Sequence, residues 1–179
     1  RVREAAGVTT GVRAAAAAVP GKVRRHDTTR LLLDGISEVS DLLGAAAVKG
    51  PKVFLAGGRS VEAALGLVDC WVFRRHASET VLRPFLGSGP LFPQLAARAA
   101  IDPKVRTVFS VCLERGEIIV LTDPAHPKIA PFVPPWLSRV TGEAPLILLP
   151  VGTPGAASAL LCGIGEAGHL KELTPAVRR

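Results

Sequence analysis

The sequence predicts an α/β domain of the α+β kind, in which helices pack on a central, mostly antiparallel sheet of five or six strands. The first observation is the order of the apolar patterns: two helices, two strands, two helices, a strand, a helical crossover, two strands and a last helix. A doubly wound parallel sheet needs strict alternation of strands and helices, and that alternation is absent. The second observation is composition: 48% of the residues are hydrophobic but only 4% are aromatic, which suits an aliphatic helix-on-sheet core.

Residues 1–28 are predicted to form a basic, Ala/Arg-rich linker or tail, and the folded domain is placed at 29–179. The net charge of +7 is concentrated at this end, because the first 30 residues carry seven Lys or Arg against two acids. They contain no aromatic residue, whereas nucleic-acid-binding surfaces usually interleave aromatics with basic residues. We therefore interpret the charge as a solvated linker and expect no nucleic-acid partner.

The first helix is expected to begin near Asp27–Thr29, which supply candidate N-caps. Its apolar residues recur at spacings of three and four and predict one apolar face, made of Leu32, Leu33, Ile36, Val39, Leu42 and Leu43. A second helix is predicted over 51–66. Gly57 and Gly58 interrupt it, so we expect it to be weak or bent.

The middle of the chain predicts a hairpin followed by two helices. The elements are bounded by Gly, Pro and Asp: a strand over 68–73, a return strand over 79–86, a helix over 91–100 and a helix from Asp102-Pro103 to Gly116. The last of these helices presents one apolar face, made of Val105, Val108, Phe109, Cys112 and Leu113. Gly116 is placed just beyond its end, where a left-handed residue commonly closes a helix.

The last third of the chain returns to the sheet. The pattern predicts a strand over 117–121, a helical segment over 127–140 that prolines interrupt, a hairpin of strands over 146–151 and 157–164, and a helix over 170–179. Strands at both ends of this region would join the strands of the first hairpin in one sheet.

Several landmarks in this order are similar to those of a known family. They are the amphipathic opening helix LLLDGISEVSDLL, a helix ending in Gly-Leu before a strand in VEAALGLVDCWVF, the return strand VLRPFLGSG, the helix-to-strand segment FSVCLERGEIIVLTD, the helix VPPWL, the run LILLPVG and the strand SALLCGIG. Over roughly residues 29–179 the chain resembles a GAF domain. The degenerate GAF-like domain that follows HDOD domains in bacterial signalling proteins is the group it resembles most.

The resemblance implies a sensory or regulatory domain with a ligand cavity between the sheet and the helices on one side. By position, the residues that would line this cavity are Phe109, Cys112, Asp123, Trp136 and Leu137. The alternative for each of them is core packing, or a turn in the case of Asp123. The ligand is undefined in this group, so the resemblance supplies neither a ligand nor a cofactor, and the cofactor stays unknown.

The resemblance also implies a homodimer and an upstream domain of the HDOD type. In related GAF proteins the opening helix often joins a parallel dimer bundle, and the residues that would do so here are Leu32, Ile36, Val39 and Leu43. Alternatively, this apolar face covers only the domain's own sheet. A ligand-free structural or interaction module is therefore a second interpretation.

Enzymatic activity is not expected. The sequence lacks HExxH, GxSxG, a P-loop and a dinucleotide fingerprint, and its three cysteines form no CxxC and have no histidine at metal-ligand spacing. The Asn-Lys-Phe-Asp-Glu signature of cyclic-nucleotide-binding GAF domains is also missing. The rival enzymatic hypothesis is a thiol-dependent reductase with Cys112 as nucleophile. No membrane-spanning stretch is expected, and we place the protein in the cytoplasm.

Overall fold

A computed structural model describes residues 25–44 and 50–166 of the chain. Its five strands are β1 (Leu67–Arg75), β2 (Leu82–Ser88), β3 (Ile119–Leu121), β4 (Leu146–Val151) and β5 (Ala159–Gly165). They form one sheet in the order β2-β1-β5-β4-β3, and each neighbouring pair runs antiparallel. The predicted α/β fold class with a mostly antiparallel sheet is confirmed.

The described residues also form five α-helices and one 3-10 turn. The helices are α1 (Arg25–Gly44), α2 (Gly50–Leu65), α3 (Phe92–Ala96), α4 (Val108–Arg115) and α5 (Pro135–Thr141), and the 3-10 turn is Ala130–Phe132. The predicted helix over 127–140 is thus two short pieces, because prolines lack the N–H that a helix interior requires. Pro135 is tolerated at the start of α5, where its missing N–H has no partner to lose.

Helix α4 begins six residues later than the Asp102 start predicted from the sequence. Thr107 is its N-cap: the Thr107 side chain accepts a hydrogen bond from the Ser110 N–H, and the Ser110 hydroxyl accepts one from the Thr107 N–H. This reciprocal pair satisfies N–H groups that the first turn leaves free. The predicted helix over 170–179 and most of the basic tail lie outside the described residues.

Both faces of the sheet are buried because strand side chains alternate in direction. Trp71 and Phe73 of β1 join the core on the side of α4 and α5. Cys70 and Val72, which alternate with them along the strand, join a smaller core on the side of α2. The sheet is therefore the middle layer of three.

Helices α1 and α2 pack closely at glycines. A Cβ placed on Gly35 would overlap the Ser60 side chain, and Val39 lies against Gly57. Gly57 and Gly58 were expected to interrupt the second helix and to make it weak or bent; α2 runs continuously across both, from Gly50 to Leu65. Gly35 is the position where the absence of a side chain lets the two helices approach each other.

The C-terminal end of α4 is attached to the β4–β5 turn. Gly116 closes the helix in the left-handed region with φ 67°, as predicted, and its N–H donates to the Cys112 carbonyl. The Gly155 N–H donates to the Leu113 carbonyl at 3.0 Å, and Pro154 lies close against Gly116. This end of α4 is therefore bonded to the hairpin that forms the centre of the sheet.

Candidate functional site

The residues predicted to line the pocket centre on a cluster of three aromatic rings. Phe109 from α4 stacks on Trp136 from α5, with centroids 5.7 Å apart and ring planes 5° apart. Phe73 from β1 completes the cluster, 5.9 Å from Trp136 and 6.2 Å from Phe109. These three residues are called the ring cluster below. Aromatic pairs at such distances stabilise the fold by more than their buried area alone. The cluster therefore holds α4 and α5 against the sheet.

Two further predicted pocket residues lie in the same core. Cys112 and Leu137 are fully buried, as are Phe73 and Phe109 of the ring cluster. The Cys112 thiol lies 3.3 Å from the Glu117 carbonyl and 3.8 Å from the Leu148 carbonyl, so it has local hydrogen-bond acceptors. The structure thus brings four of the five predicted residues together in one core.

Asp123, the fifth predicted pocket residue, lies apart from this core. Its side chain is exposed in the turn that follows β3, and its carbonyl accepts a hydrogen bond from the His126 N–H at 3.3 Å. Asp123 therefore starts a turn, which the sequence had offered as the alternative interpretation.

An apolar groove of about 280 Å³ is bounded by α4, by β3 and by the segment that ends in the 3-10 turn. Ile119 and Leu121 of the edge strand β3 form one wall, and Phe132 of the 3-10 turn forms part of the other. The complete lining is Arg106, Thr107, Val108, Val111, Ile119, Leu121, Lys128, Ile129 and Phe132. We call this feature the α4 groove. Two cations, Arg106 and Lys128, are its only charged residues.

A second depression, of about 360 Å³, adjoins the α4 groove across the same helix. Its lining is Pro103, Lys104, Arg106, Ser110, Val111, Glu114 and Arg115. We call it the basic cleft, because three cations face one acid. Arg106 and Val111 belong to both linings. The two depressions are therefore neighbours that share a boundary.

Helix α1 divides the predicted dimer residues between two faces. Leu32 and Val39 are half-buried on the side where Gly35 meets α2, whereas Ile36 and Leu43 are 61% and 70% exposed. Leu33, which was not among the predicted dimer residues, is 60% exposed and lies one turn before Ile36. Because residues three, four and seven apart share a helix face, Leu33, Ile36 and Leu43 form one exposed apolar line. We call it the α1 stripe.

The thiols of all three cysteines are buried, which bears on the reductase hypothesis. Burial raises the pKa of Cys112 from its ordinary 9.0 to about 12, and burial together with the Glu62 and Asp69 charges raises that of Cys70 to about 12. Burial also raises the pKa of Cys162. The thiolate is the reactive species, so these environments favour the unreactive form.

Asp69, a buried carboxylate in β1, was not among the predicted site residues. Its Oδ1 accepts hydrogen bonds from the Leu91 N–H at 3.0 Å and from the Trp71 indole N–H at 3.3 Å. Burial raises its pKa above the ordinary 3.8, and these hydrogen bonds oppose part of the shift. An aspartate inside an otherwise apolar strand was the available signal, and its role here is to hold the turn between β2 and α3.

The sequence matches no protein-family model and no curated protein. Solved structures do match. The GAF domain of nlh2 from A. aeolicus, in an inactive state, aligns at a TM-score of 0.62 with 15% identity, over 84% of this chain and 89% of that one. The GAF domain of a phosphoenolpyruvate-protein phosphotransferase from Coxiella burnetii aligns at 0.63 with 16% identity, over 87% and 89%. The chain has a GAF-like fold.

A third structure with this fold is an enzyme. Free methionine-R-sulfoxide reductase from Neisseria meningitidis, in complex with its substrate, aligns at a TM-score of 0.58 with 17% identity, over 86% of this chain and 87% of that one. The GAF-like fold thus occurs in a reductase as well as in the GAF domains of other proteins, and the fold alone does not assign an activity. Among the described residues there is no cluster suited to a metal ion and no helix able to cross a membrane.

Proposed function

We propose that the chain is a GAF-like regulatory domain of a bacterial signalling protein and that it acts as a homodimer through the α1 stripe. The observation that carries the proposal is the exposure of three large apolar side chains, at 60%, 61% and 70%, along one line of a 20-residue helix. Burying a Leu or Ile side chain is worth about 1.5–3 kcal/mol. In a symmetric dimer each of the two copies buries all three side chains.

A second copy is the occupant that the spacing favours. Leu33, Ile36 and Leu43 follow steps of three and seven, the spacing at which helices pair in a coiled-coil seam. The adjoining face of α1, which contains Leu32, Gly35 and Val39, is already used against α2. A dimer built on this seam would place the two N-terminal ends side by side, where an upstream domain of the HDOD type would receive the signal. We place such a protein in the cytoplasm.

The test is a charge placed in the stripe, compared with a charge change outside it. Ile36→Glu should convert the dimer to a monomer in sedimentation velocity, because a buried unpaired carboxylate is costly. Glu38→Lys is the control, because Glu38 is exposed and is not three, four or seven residues from any residue of the stripe, and this variant should stay dimeric. Ile36→Glu should still unfold in one cooperative thermal transition, since substitutions of exposed residues change the stability of the single chain by about 0.5 kcal/mol or less.

Two results would count against this proposal. Wild-type protein that sediments as a monomer at every concentration would remove the dimer. Loss of folding in Ile36→Glu but not in Glu38→Lys would mean that the stripe packs within its own chain. The ligand-free interaction module would then lose its main support as well.

Binding of a small molecule is the second part of the proposed function, and the α4 groove supports it. Phe109, Cys112 and Leu137, which were predicted to line a cavity together with Trp136, are fully buried. The α4 groove offers about 280 Å³ of apolar space, near the lower end of ligand sites at roughly 300–1,000 Å³. The reductase hypothesis is the weaker alternative, because Cys112 is fully buried.

A further inference from the structure

We propose that the α4 groove and the basic cleft are two halves of one site for a small amphipathic anion. The apolar body of the ligand would lie in the groove, and its carboxylate would lie at Arg106, where the two halves meet. This inference rests on the ligand-binding part of the proposed function and is independent of the dimer part.

The groove supplies the apolar half. Val108, Ile119 and Leu121 form its inner walls and are buried or half-buried. Phe132 is 39% exposed at its outer edge, so a ligand lying in the groove would cover it. Because burying apolar surface is favourable in proportion to its area, the groove favours an alkyl or aryl body over a polar one.

The basic cleft supplies the charged half. Lys104, Arg106 and Arg115 line it together with a single acid, Glu114. None of the three cations forms an ion pair with another residue of the described part, where the ion pairs are Arg30–Asp34 and Arg83–Glu79. Their charges are therefore available to a ligand, and a carboxylate is the complementary partner.

Arg106 is the residue that joins the two halves. It lines both depressions, and its guanidinium lies 5.8 Å from the centroid of the Phe132 ring. A cation over an aromatic face is attracted to it, which holds Arg106 at the rim of the groove. Lys128 adds a second cation to that rim. An anion attached to a body lying in the groove would thus meet a charged partner on leaving the apolar region.

This juxtaposition selects a ligand class by requiring both of its parts. A neutral alcohol would satisfy the groove alone, and acetate or inorganic phosphate would satisfy the cations alone. An alkyl carboxylate satisfies both. Octanoate is therefore a suitable probe, with octanol and acetate as the two matched half-ligands.

The experiment is an NMR titration of the wild-type protein with each of the three probes. Octanoate should bind saturably and shift the amides of α4 and β3, and octanol and acetate should each bind about tenfold more weakly or worse. Arg106→Gln should weaken octanoate binding about tenfold, the effect of losing one hydrogen bond to a charged group. Arg98→Gln, at an exposed cation outside both depressions, is the control and should change nothing.

Different failures are distinguishable. Octanol that binds as tightly as octanoate, with no effect of Arg106→Gln, would overturn the anion assignment but leave a ligand site in place. Shifts centred on Phe73, Phe109 and Trp136 would move the site to the ring cluster and overturn this one. Absence of saturable binding by all three probes would overturn both the inference and the ligand-binding part of the proposed function. The dimer is tested separately by Ile36→Glu, in which octanoate binding should be unchanged.

A membrane surface could present the same chemistry, and a further measurement separates it from a free ligand. Vesicles of phosphatidylglycerol should leave the protein in the supernatant after sedimentation. Co-sedimentation that depends on Arg106 would assign the cations to a lipid surface and overturn the free-ligand proposal.

Discussion

The ring cluster and the α4 groove are built on the same helix, yet one is closed and the other is open. Phe109 and Cys112 point inward and meet rings and strands that fill the space around them. Val108 and Val111 border the groove, where their opposing elements are a strand of three residues and a 3-10 turn of three residues. On α4, the face that meets long elements is buried, and the face that meets these two short elements borders a groove.

Helix α1 repeats this contrast. Gly35 and Val39 face α2 at close range, and the α1 stripe faces outward. In both helices the packed face contributes to the stability of the fold, and the exposed face is available for binding. Substitutions on closed faces should therefore change unfolding, and those on open faces should change association.

The largest expected effect concerns thiol chemistry on the closed side. A pKa near 12 instead of 9.0 lowers the thiolate fraction of Cys112 at pH 8 about a thousandfold. Folded protein should therefore react with a disulfide reagent only on opening, while protein unfolded in guanidinium should release three equivalents from Cys70, Cys112 and Cys162. A thiol that reacts at once in the folded protein would revive the reductase hypothesis, and Cys112→Ser would identify it.

Next is the pair Phe109→Ala and Phe132→Ala, which compares the same truncation on the two sides. Phe109 is fully buried, so its loss should lower the unfolding free energy by about 3–5 kcal/mol, measured by urea denaturation. Phe132 is 39% exposed, and its loss should cost about 1 kcal/mol or less. Equal costs would mean that the groove is part of the core and not an open site.

Two glycines make the same comparison for α1 and α2. Gly35→Val should destabilise by about 1–3 kcal/mol, because the new side chain overlaps Ser60. Gly58→Ala should stabilise by up to about 1 kcal/mol, since it meets no atom within 4 Å and Ala is the better helix former. Thermal melts of the two variants should move in opposite directions. A neutral Gly35→Val would show that the two helices can separate without cost.

The smallest effect is the pH dependence at Asp69. Its pKa is raised in the folded state, so the folded protein holds this proton more tightly than the unfolded chain. Unfolding free energy contributed by Asp69 is therefore lost as pH rises from 3.8 through the folded pKa. Asp69→Asn removes that loss. The unfolding free energy of the variant relative to wild type should therefore increase as pH rises through this range, measured by parallel urea titrations. A constant difference would mean that the pKa is not raised.

Sequence patterns predicted much of the fold because period and punctuation are local. The strand Leu146–Val151 has the predicted bounds, and Gly116 closes α4 as expected. The predicted start of α4 at Asp102 was wrong. Asp102-Pro103 is the stronger helix-start signal in the sequence, but Thr107 supplies the N-cap in the structure. For the same reason the sequence identified apolar residues on α1 without showing which of them α2 would cover.

The site was less predictable because it depends on distant parts of the chain. Four of the predicted residues do come together, namely Phe109, Cys112, Trp136 and Leu137. Their packing also depends on Phe73, which lies on β1 and contacts the rings of Phe109 and Trp136. The α4 groove joins residues from Arg106 to Phe132 across three elements, and no local pattern marks such a surface. A sequence shows which side chains are apolar, and the fold decides which remain uncovered.

The bonding of α4 to the β4–β5 turn gives the helix a pivot. Gly155 and Pro154 fix its C-terminal end to the hairpin, and the groove and the basic cleft lie along the rest of its length. Because the C-terminal end of α4 is held, a bound molecule that moved this helix would displace Thr107 furthest and Gly116 least. The fixed end is bonded to the turn that leads into β5, and β5 pairs with β1 in the centre of the sheet, so the motion would be transmitted there.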